Sequence, residues 1–304
     1  MNWLLIAISA HFLLAVVFAV DKFLLSKTVL RPAAAAFYVG LLSGSASLLL
    51  IPLGFSWLSF GQIAASFIAG GSFVFAVLFF YQLIRKNEVS IIAPIVGAAV
   101  PIFTLTLTYF FLGERPAISQ LSAFCLLVLG GVIILLPQKS ELSLQKTENF
   151  LFDSLLITIL TAFLFALSFV LTKFIFSEQQ FINGFIWIRL GGILSACLLF
   201  LIPNARKEIF ETSKSIEIKV GGLFISNKIL SAFAFVLLNY AIYLGSVSLV
   251  NALQGVQYVF LLMIVLFLSK KFPQIIKEQI SGKIIIQKII AILFIAFGLG
   301  ILVS

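Results

Sequence analysis

Residues 15–52 read AVVFAVDKFLLSKTVLRPAAAAFYVGLLSGSASLLLIP, and residues 166–203 read ALSFVLTKFIFSEQQFINGFIWIRLGGILSACLLFLIP. Laid over each other at an offset of 151, without a gap, they match at Ala15/Ala166, Phe18/Phe169, Lys22/Lys173, Phe23/Phe174, Ser26/Ser177, Gly40/Gly191, Leu48/Leu199, Leu50/Leu201, Ile51/Ile202 and Pro52/Pro203. In so apolar a chain the leucine and phenylalanine matches carry little weight. The lysines, serines, glycines and closing prolines carry more. Farther along, an offset of 158 pairs Ser90 with Ser248 and Gly97 with Gly255, and an offset of 168 pairs Ala123 with Ala291 and Gly130 with Gly298. The chain reads as one unit used twice, residues 1–150 and 151–304.

Each unit is built for a bilayer. Of the 304 residues 62% are hydrophobic and 10% charged, with a mean hydropathy of +1.21. Soluble domains are about 45–50% apolar and about 25% charged, so a water-soluble globule is excluded, as are a disordered chain, a coiled coil and a nucleic-acid module. Ten segments approach the roughly 20 apolar residues that a membrane-crossing helix needs: Trp3–Leu24, Ala33–Leu53, Gln62–Ile84, Ser90–Leu112, Gln120–Pro137, Leu151–Phe176, Asn183–Pro203, Phe224–Leu244, Val247–Leu268 and Ile284–Val303. The gaps hold charges and breakers, such as Arg31-Pro32 and Gly113-Glu114-Arg115-Pro116. None is long enough for a soluble domain. The first segment is long for a cleaved signal and has no basic residue before it. Its match at residues 166–177 marks it as a span. Cys125 and Cys197 both lie in apolar runs, so no disulfide framework is expected.

Five spans per unit is an odd number, so the second copy enters the bilayer from the opposite face. The predicted fold is therefore all-α, a polytopic membrane protein of ten transmembrane helices in two inverted five-helix repeats. The net charge of +9 bears on orientation. Loops after segments one, three, five, seven and nine hold fourteen Lys and Arg, from Lys27 and Arg31 to Lys277 and Lys283, whereas the other face holds only Arg115. The basic bias also switches between equivalent loops of the two units, as inversion requires. By the positive-inside rule the basic face is cytoplasmic and both termini are non-cytoplasmic, in a cell membrane (plasma or inner).

Several motifs resemble the drug/metabolite transporter superfamily, in particular its ten-helix EamA-type members. Each unit opens with a helix ending in an apolar stretch and a lysine, Phe18-Ala19-Val20-Asp21-Lys22 and Phe169-Val170-Leu171-Thr172-Lys173. The third segment closes with Tyr81 and leads into Ser90-Ile91-Ile92-Ala93-Pro94, then Pro101 and Leu112-Gly113-Glu114, and the fifth carries Gly130-Gly131. The second unit departs from this pattern, with Leu268-Ser269-Lys270-Lys271 in place of Leu-Gly-Glu and no paired prolines in segment nine. The resemblance implies an alternating-access carrier of a small polar metabolite, an amino acid or related solute, often working as an exporter. A lipid-linked sugar flippase, or a nucleotide-sugar or phosphometabolite exchanger, would fit the same fold.

Polar groups inside the spans are the candidates for binding, since a central charge costs roughly 2.5–3.5 kcal/mol on the insertion scale. Segment four carries Ser90, Pro94, Gly97, Pro101, Thr104 and Thr108 at steps of four and three, one helical face. That face either lines a cavity or lets helices pack closely. Segment nine, its partner, offers Asn251, Gln254 and either Gln257 or Tyr258 at helical spacing, to bind a polar solute or to bond between helices. Tyr81, Asn239 and Tyr240 would add walls from segments three and eight. Arg189, about two turns into segment seven, would bind a carboxylate or phosphate or form an ion pair. Lys22 and Lys173 would meet an anionic group or snorkel to the interface, and His11 would carry a proton or stand as a hydrogen-bonded core histidine.

No Asp or Glu lies centrally in a span, which disfavours the proton-driven cation export of small multidrug exporters, relatives that rely on a carboxylate midway along helix one. With one histidine and scattered carboxylates, neither a metal nor a cofactor is expected. A membrane enzyme would need a nucleophile or an acid–base cluster that the spans lack. The expected partners are a small-molecule substrate, the lipid bilayer, and a coupling proton or counter-substrate, with no nucleic acid, in a monomer or homodimer.

Overall fold

The computed structural model describes residues 2–27, 31–86, 89–136, 147–215, 218–271 and 282–303. Among the described residues the chain is helical and contains no strand. The helices are α1 (Asn2–Lys27), α2 (Pro32–Leu48), α3 (Phe60–Lys86), α4 (Val89–Leu107), α5 (Ile118–Leu135), α6 (Thr147–Glu178), α7 (Phe181–Leu201), α8 (Pro203–Ser215), α9 (Ile218–Leu244), α10 (Val247–Ala252), α11 (Gln254–Lys271) and α12 (Gly282–Val303). A π-helical turn, Thr108–Leu112, continues α4 and ends at Gly113, whose φ of 67° only glycine adopts at little cost.

Nine stretches among the described residues are long and apolar enough to cross a bilayer, Val247–Val265 running across both α10 and α11. The protein is therefore a multi-pass membrane protein. The remaining segment is shorter than its hydropathy predicts. α2 has 17 residues, about 26 Å at 1.5 Å per residue, and beyond it Ile51–Leu53 form a 3₁₀ turn. The repeated prolines mark equivalent exits: Pro52 lies in that turn, and Pro203 is the first residue of α8. Proline suits a first helical position because the N–H it lacks would have no partner there.

Two further features depart from the sequence expectation. The loop after segment seven folds into α8, a polar helix whose apolar side buries Ile209 and Thr212. Glu208 accepts from the Ala33 N–H at 3.1 Å and pairs with Arg85, while Glu211 pairs with Arg31, so α8 is tied beneath the ends of α2 and α3. Segment nine, read as one helix, is broken at Leu253 into α10 and α11.

The helices pack in a consistent pattern. α1 lies against α9 and α11; α6 lies against α3 and α4; α2 meets α7, α5 meets α12, and α10 meets α4. α3 also packs tightly on α7, but α9 has few contacts with α2, α6 and α7. The closest crossings use glycine. A methyl group on Gly70 would overlap the Ile188 carbonyl, and one on Gly191 would come 2.6 Å from Phe67 Cα. Gly130 and Gly298 perform the same service between α5 and α12. Absent side chains let backbones approach closely where lipid offers no hydrophobic drive to association. Large apolar side chains such as Leu5, Phe110, Phe111 and Phe297 cover the outside, where hydrocarbon rather than water would solvate them.

Candidate functional site

A small cavity lies among α3, α6, α7 and α9, lined by Gly70, Phe73, Ser168, Phe169, Thr172, Ile188, Arg189, Phe235 and Asn239. Its space for water centres is about 20 Å³, room for one or two waters. Arg189 supplies its charge. The side chain is 8% exposed and its Nε is buried with no hydrogen-bond partner. Among the described residues no ion pair neutralises it.

What surrounds the guanidinium is aromatic. It lies 4.7 Å from the Phe185 ring centroid, with Phe235 at 5.9 Å and Phe73 at 6.0 Å. Cation–π attraction of this kind returns about 0.5–2 kcal/mol, less than the several kcal/mol lost when a cation leaves water. Its Nε has no acceptor among the described residues. Asn239, which also lines the cavity, donates its amide N–H to the Phe235 carbonyl of its own helix (2.8 Å). Ser168 and Thr172, four residues apart on α6, line the same cavity. This pair escaped the sequence reading, although its i, i+4 spacing on an apolar helix was a legible sign. The aromatic walls were not legible among 34 phenylalanines.

The stripes of segments four and nine meet each other. Asn251 donates to Thr104 Oγ1 at 3.1 Å, and Thr104 donates to the Val100 carbonyl at 2.8 Å. Thr108 and Ser248 share a hydrogen bond of 2.8 Å. Thr104, Thr108, Ser248 and Asn251 are all buried, and none of them lines the Arg189 cavity. Tyr258 lies over Gly97, where a methyl group would stand 2.6 Å from the phenol oxygen. Pro101 is buried on α4 and Gln254 half-buried at the start of α11. The side chains of Pro94 and Lys22 lie outside the described residues.

His11 spans the break in segment nine. Its Nε2 is 3.0 Å from the Val250 carbonyl of α10 and its Nδ1 3.0 Å from Gln257 Oε1 of α11. In this arrangement both ring nitrogens face acceptors, as a doubly protonated imidazole would. A flipped amide would instead offer N–H to a neutral ring nitrogen and employ Gln257 Nε2, which is otherwise buried without a partner.

The remaining candidates sit near helix ends. Lys173 Nζ donates to the carbonyls of Gly245 (2.7 Å), Ile242 (3.0 Å) and Tyr243 (3.4 Å), so it caps the C-terminus of α9. Beside it Ser246 donates to Glu114 at 2.9 Å. Tyr240 is partly exposed and stacks on Tyr243, with Phe181 edge-on, away from the cavity. Tyr81, near the end of α3, packs against the apolar cluster that includes Val74, Val77 and Leu199.

Two further polar clusters have no counterpart in the sequence expectations. Asp21 accepts from Asn227 (2.8 Å) and Lys228 (3.2 Å), joining α1 to α9. Asn183 and Trp187 of α7 hold the turn at Ser56, Trp187 Nε1 donating to the Ser56 carbonyl at 3.0 Å.

No family model matches the chain, and no curated protein does. Solved structures do match. One, described only as "Crystal structure of protein", has a TM-score of 0.70 at 17% identity and covers 99% of this chain and 95% of its own. The likeness establishes a shared fold along the full length.

Proposed function

We propose that the protein is a secondary carrier of a small polar metabolite, working by alternating access, with Arg189 at its substrate site. The scaffold in this reading is two inverted five-helix repeats of the drug/metabolite transporter type, residues 1–150 and 151–304, with the basic face cytoplasmic. The packing pattern supports the duplication. Exchanging the units turns the pairing of α1 with α9 into that of α6 with α3, and the pairing of α1 with α11 into that of α6 with α4. The pairs α2 with α7 and α5 with α12 map onto themselves. α3 and α9 begin and end 158 residues apart, the register found for segments four and nine.

The observation that carries the function is the unpaired cation. A buried arginine without a counter-ion costs stability, and its cavity is bounded by helices of both units. Such a group at such a boundary suits a ligand that supplies the missing negative charge. The seam beside it suits movement, because α9 is held mainly by α1 and packs weakly across the cavity. Separation there would open the site to one face.

Proteoliposomes containing the purified protein test this reading. With a panel of radiolabelled amino acids, organic acids, sugars and sugar phosphates outside, at least one solute should accumulate. Arg189→Gln should lower its rate at least tenfold. Equal rates in the two proteins, or a panel that never accumulates above empty liposomes, would remove Arg189 from a transport site.

A further inference from the structure

The repeat register brings out a contrast between two polar sites. Shifted by 151 or 158 residues, the cavity positions Gly70, Thr172, Arg189 and Asn239 correspond to Lys228, Asp21, Tyr38 and Tyr81. The second set is electrically complete. Lys228 pairs with Asp21 at 3.2 Å, and Asn227 adds an amide donor to the same carboxylate. In the Arg189 cavity the cation is present, but threonine stands where the other unit has its aspartate. The walls contain one positive group, no carboxylate, two hydroxyls, one amide and three phenylalanines.

We infer that this cavity takes a small monoanion, a monocarboxylate carrying an apolar or aromatic group, whose carboxylate does for Arg189 what Asp21 does for Lys228. This rests on the transport reading above only for the ligand's passage, not for its binding. One cation neutralises one negative charge, so a dianion such as a phosphomonoester or dicarboxylate would leave a charge buried and unpaired. A zwitterion would leave its ammonium without a carboxylate, since the cavity walls hold none. The fork of Arg189 donates two parallel N–H bonds to a carboxylate, the hydroxyls of Ser168 and Thr172 complete its lone pairs, and Phe73, Phe169 and Phe235 receive the apolar part. The present space admits no more than one or two waters, so the ligand enters as α9, which carries Phe235 and Asn239, draws away from α7.

Isothermal titration of the detergent-purified full chain tests the assignment. The probes are benzoate, its neutral isostere benzamide, its dianionic relative phthalate, zwitterionic phenylalanine, and laurate to represent a carboxylate arriving from the lipid. Benzoate should bind at least tenfold more tightly than benzamide, phthalate or phenylalanine. Laurate binding more tightly than benzoate would assign the site to a lipid-borne acid; the reverse would assign it to a water-soluble one. Arg189→Gln should abolish the difference between benzoate and benzamide, and Arg189→Lys should keep part of it. Thr172→Asp supplies the missing carboxylate from the protein, so it should raise the melting temperature and abolish benzoate binding.

Size-exclusion profiles identify any variant that fails to fold, and Thr172→Asp then decides, since self-pairing predicts a more stable protein. Equal affinity for benzoate and benzamide, or benzoate binding that survives Thr172→Asp, overturns the inference. Arg189-dependent binding of benzoate without flux in liposomes would keep the inference and overturn the carrier reading. Flux of a neutral solute unaffected by benzoate would do the opposite.

Discussion

Thr104 and Asn251 are buried with hydrogen-bond partners and Lys173 finds its partners at a helix end, whereas Arg189 has no ion pair among the described residues. The first two hydrogen bond to each other across α4 and α10, and Thr104 also bonds its own helix. Between membrane helices such bonds average about 0.6 kcal/mol, because the separated helices also find partners. A double-mutant cycle of Thr104→Val and Asn251→Ala, followed by thermal unfolding in detergent, should therefore give a coupling of about 0.5–1.5 kcal/mol. Lys173 is worth more, since an ammonium donating to three carbonyls makes charge-assisted bonds of about 1.5–3 kcal/mol against leaving the helix end open. Lys173→Met should lower stability by about 2 kcal/mol while leaving benzoate binding intact, because Lys173 does not line the cavity. In sequence Lys173 fits two roles, anion partner and interfacial snorkel. That the carbonyls ending α9 stand within its reach depends on a contact 69–72 residues away along the chain.

Helix contacts set the next scale. At α3 and α7 a methyl group meets backbone rather than a yielding side chain, so Gly191→Ala should cost about 1–3 kcal/mol through overpacking. Gly300→Ala meets nothing within 4 Å and should be neutral or stabilise α12 by roughly 0.5–1 kcal/mol, the usual advantage of alanine in a helix. Melting curves of the two variants side by side check both signs. The spans themselves were readable because hydropathy is a local sum over about 20 residues. Two elements were less readable. α8 has the signs of a helix, with Pro203 at its start and Ala205, Ile209 and Thr212 at helical spacing, but polar composition made it look like a loop. The break at Leu253 has no proline or glycine before it. There the Val250 carbonyl, left outside the backbone ladder, accepts from His11, a partner 239 positions away. No window along the sequence contains that bond.

For the molecule as a whole, ten crossings in the proposed topology put both termini on one face and α8 on the other. In a background with Cys125 and Cys197 replaced by serine, cysteines at Asn2 and Val303 should react with an impermeant maleimide in intact cells. One at Arg206 should react only after the membrane is opened. Labelling of Arg206 from outside would reverse the orientation, and opposite behaviour of the two termini would mean an odd number of crossings. The sequence by itself determined that the chain is helical and lives in lipid, where its spans begin and end to within a few residues, and which of its polar side chains would need explaining. These follow from composition and spacing along the chain. Which polar groups satisfy one another was decided by tertiary structure alone. Thr104 and Asn251, or Asp21 and Lys228, find each other only once particular helix faces meet. Arg189, a buried charge with no ion pair among the described residues, stands out only once the helices are packed.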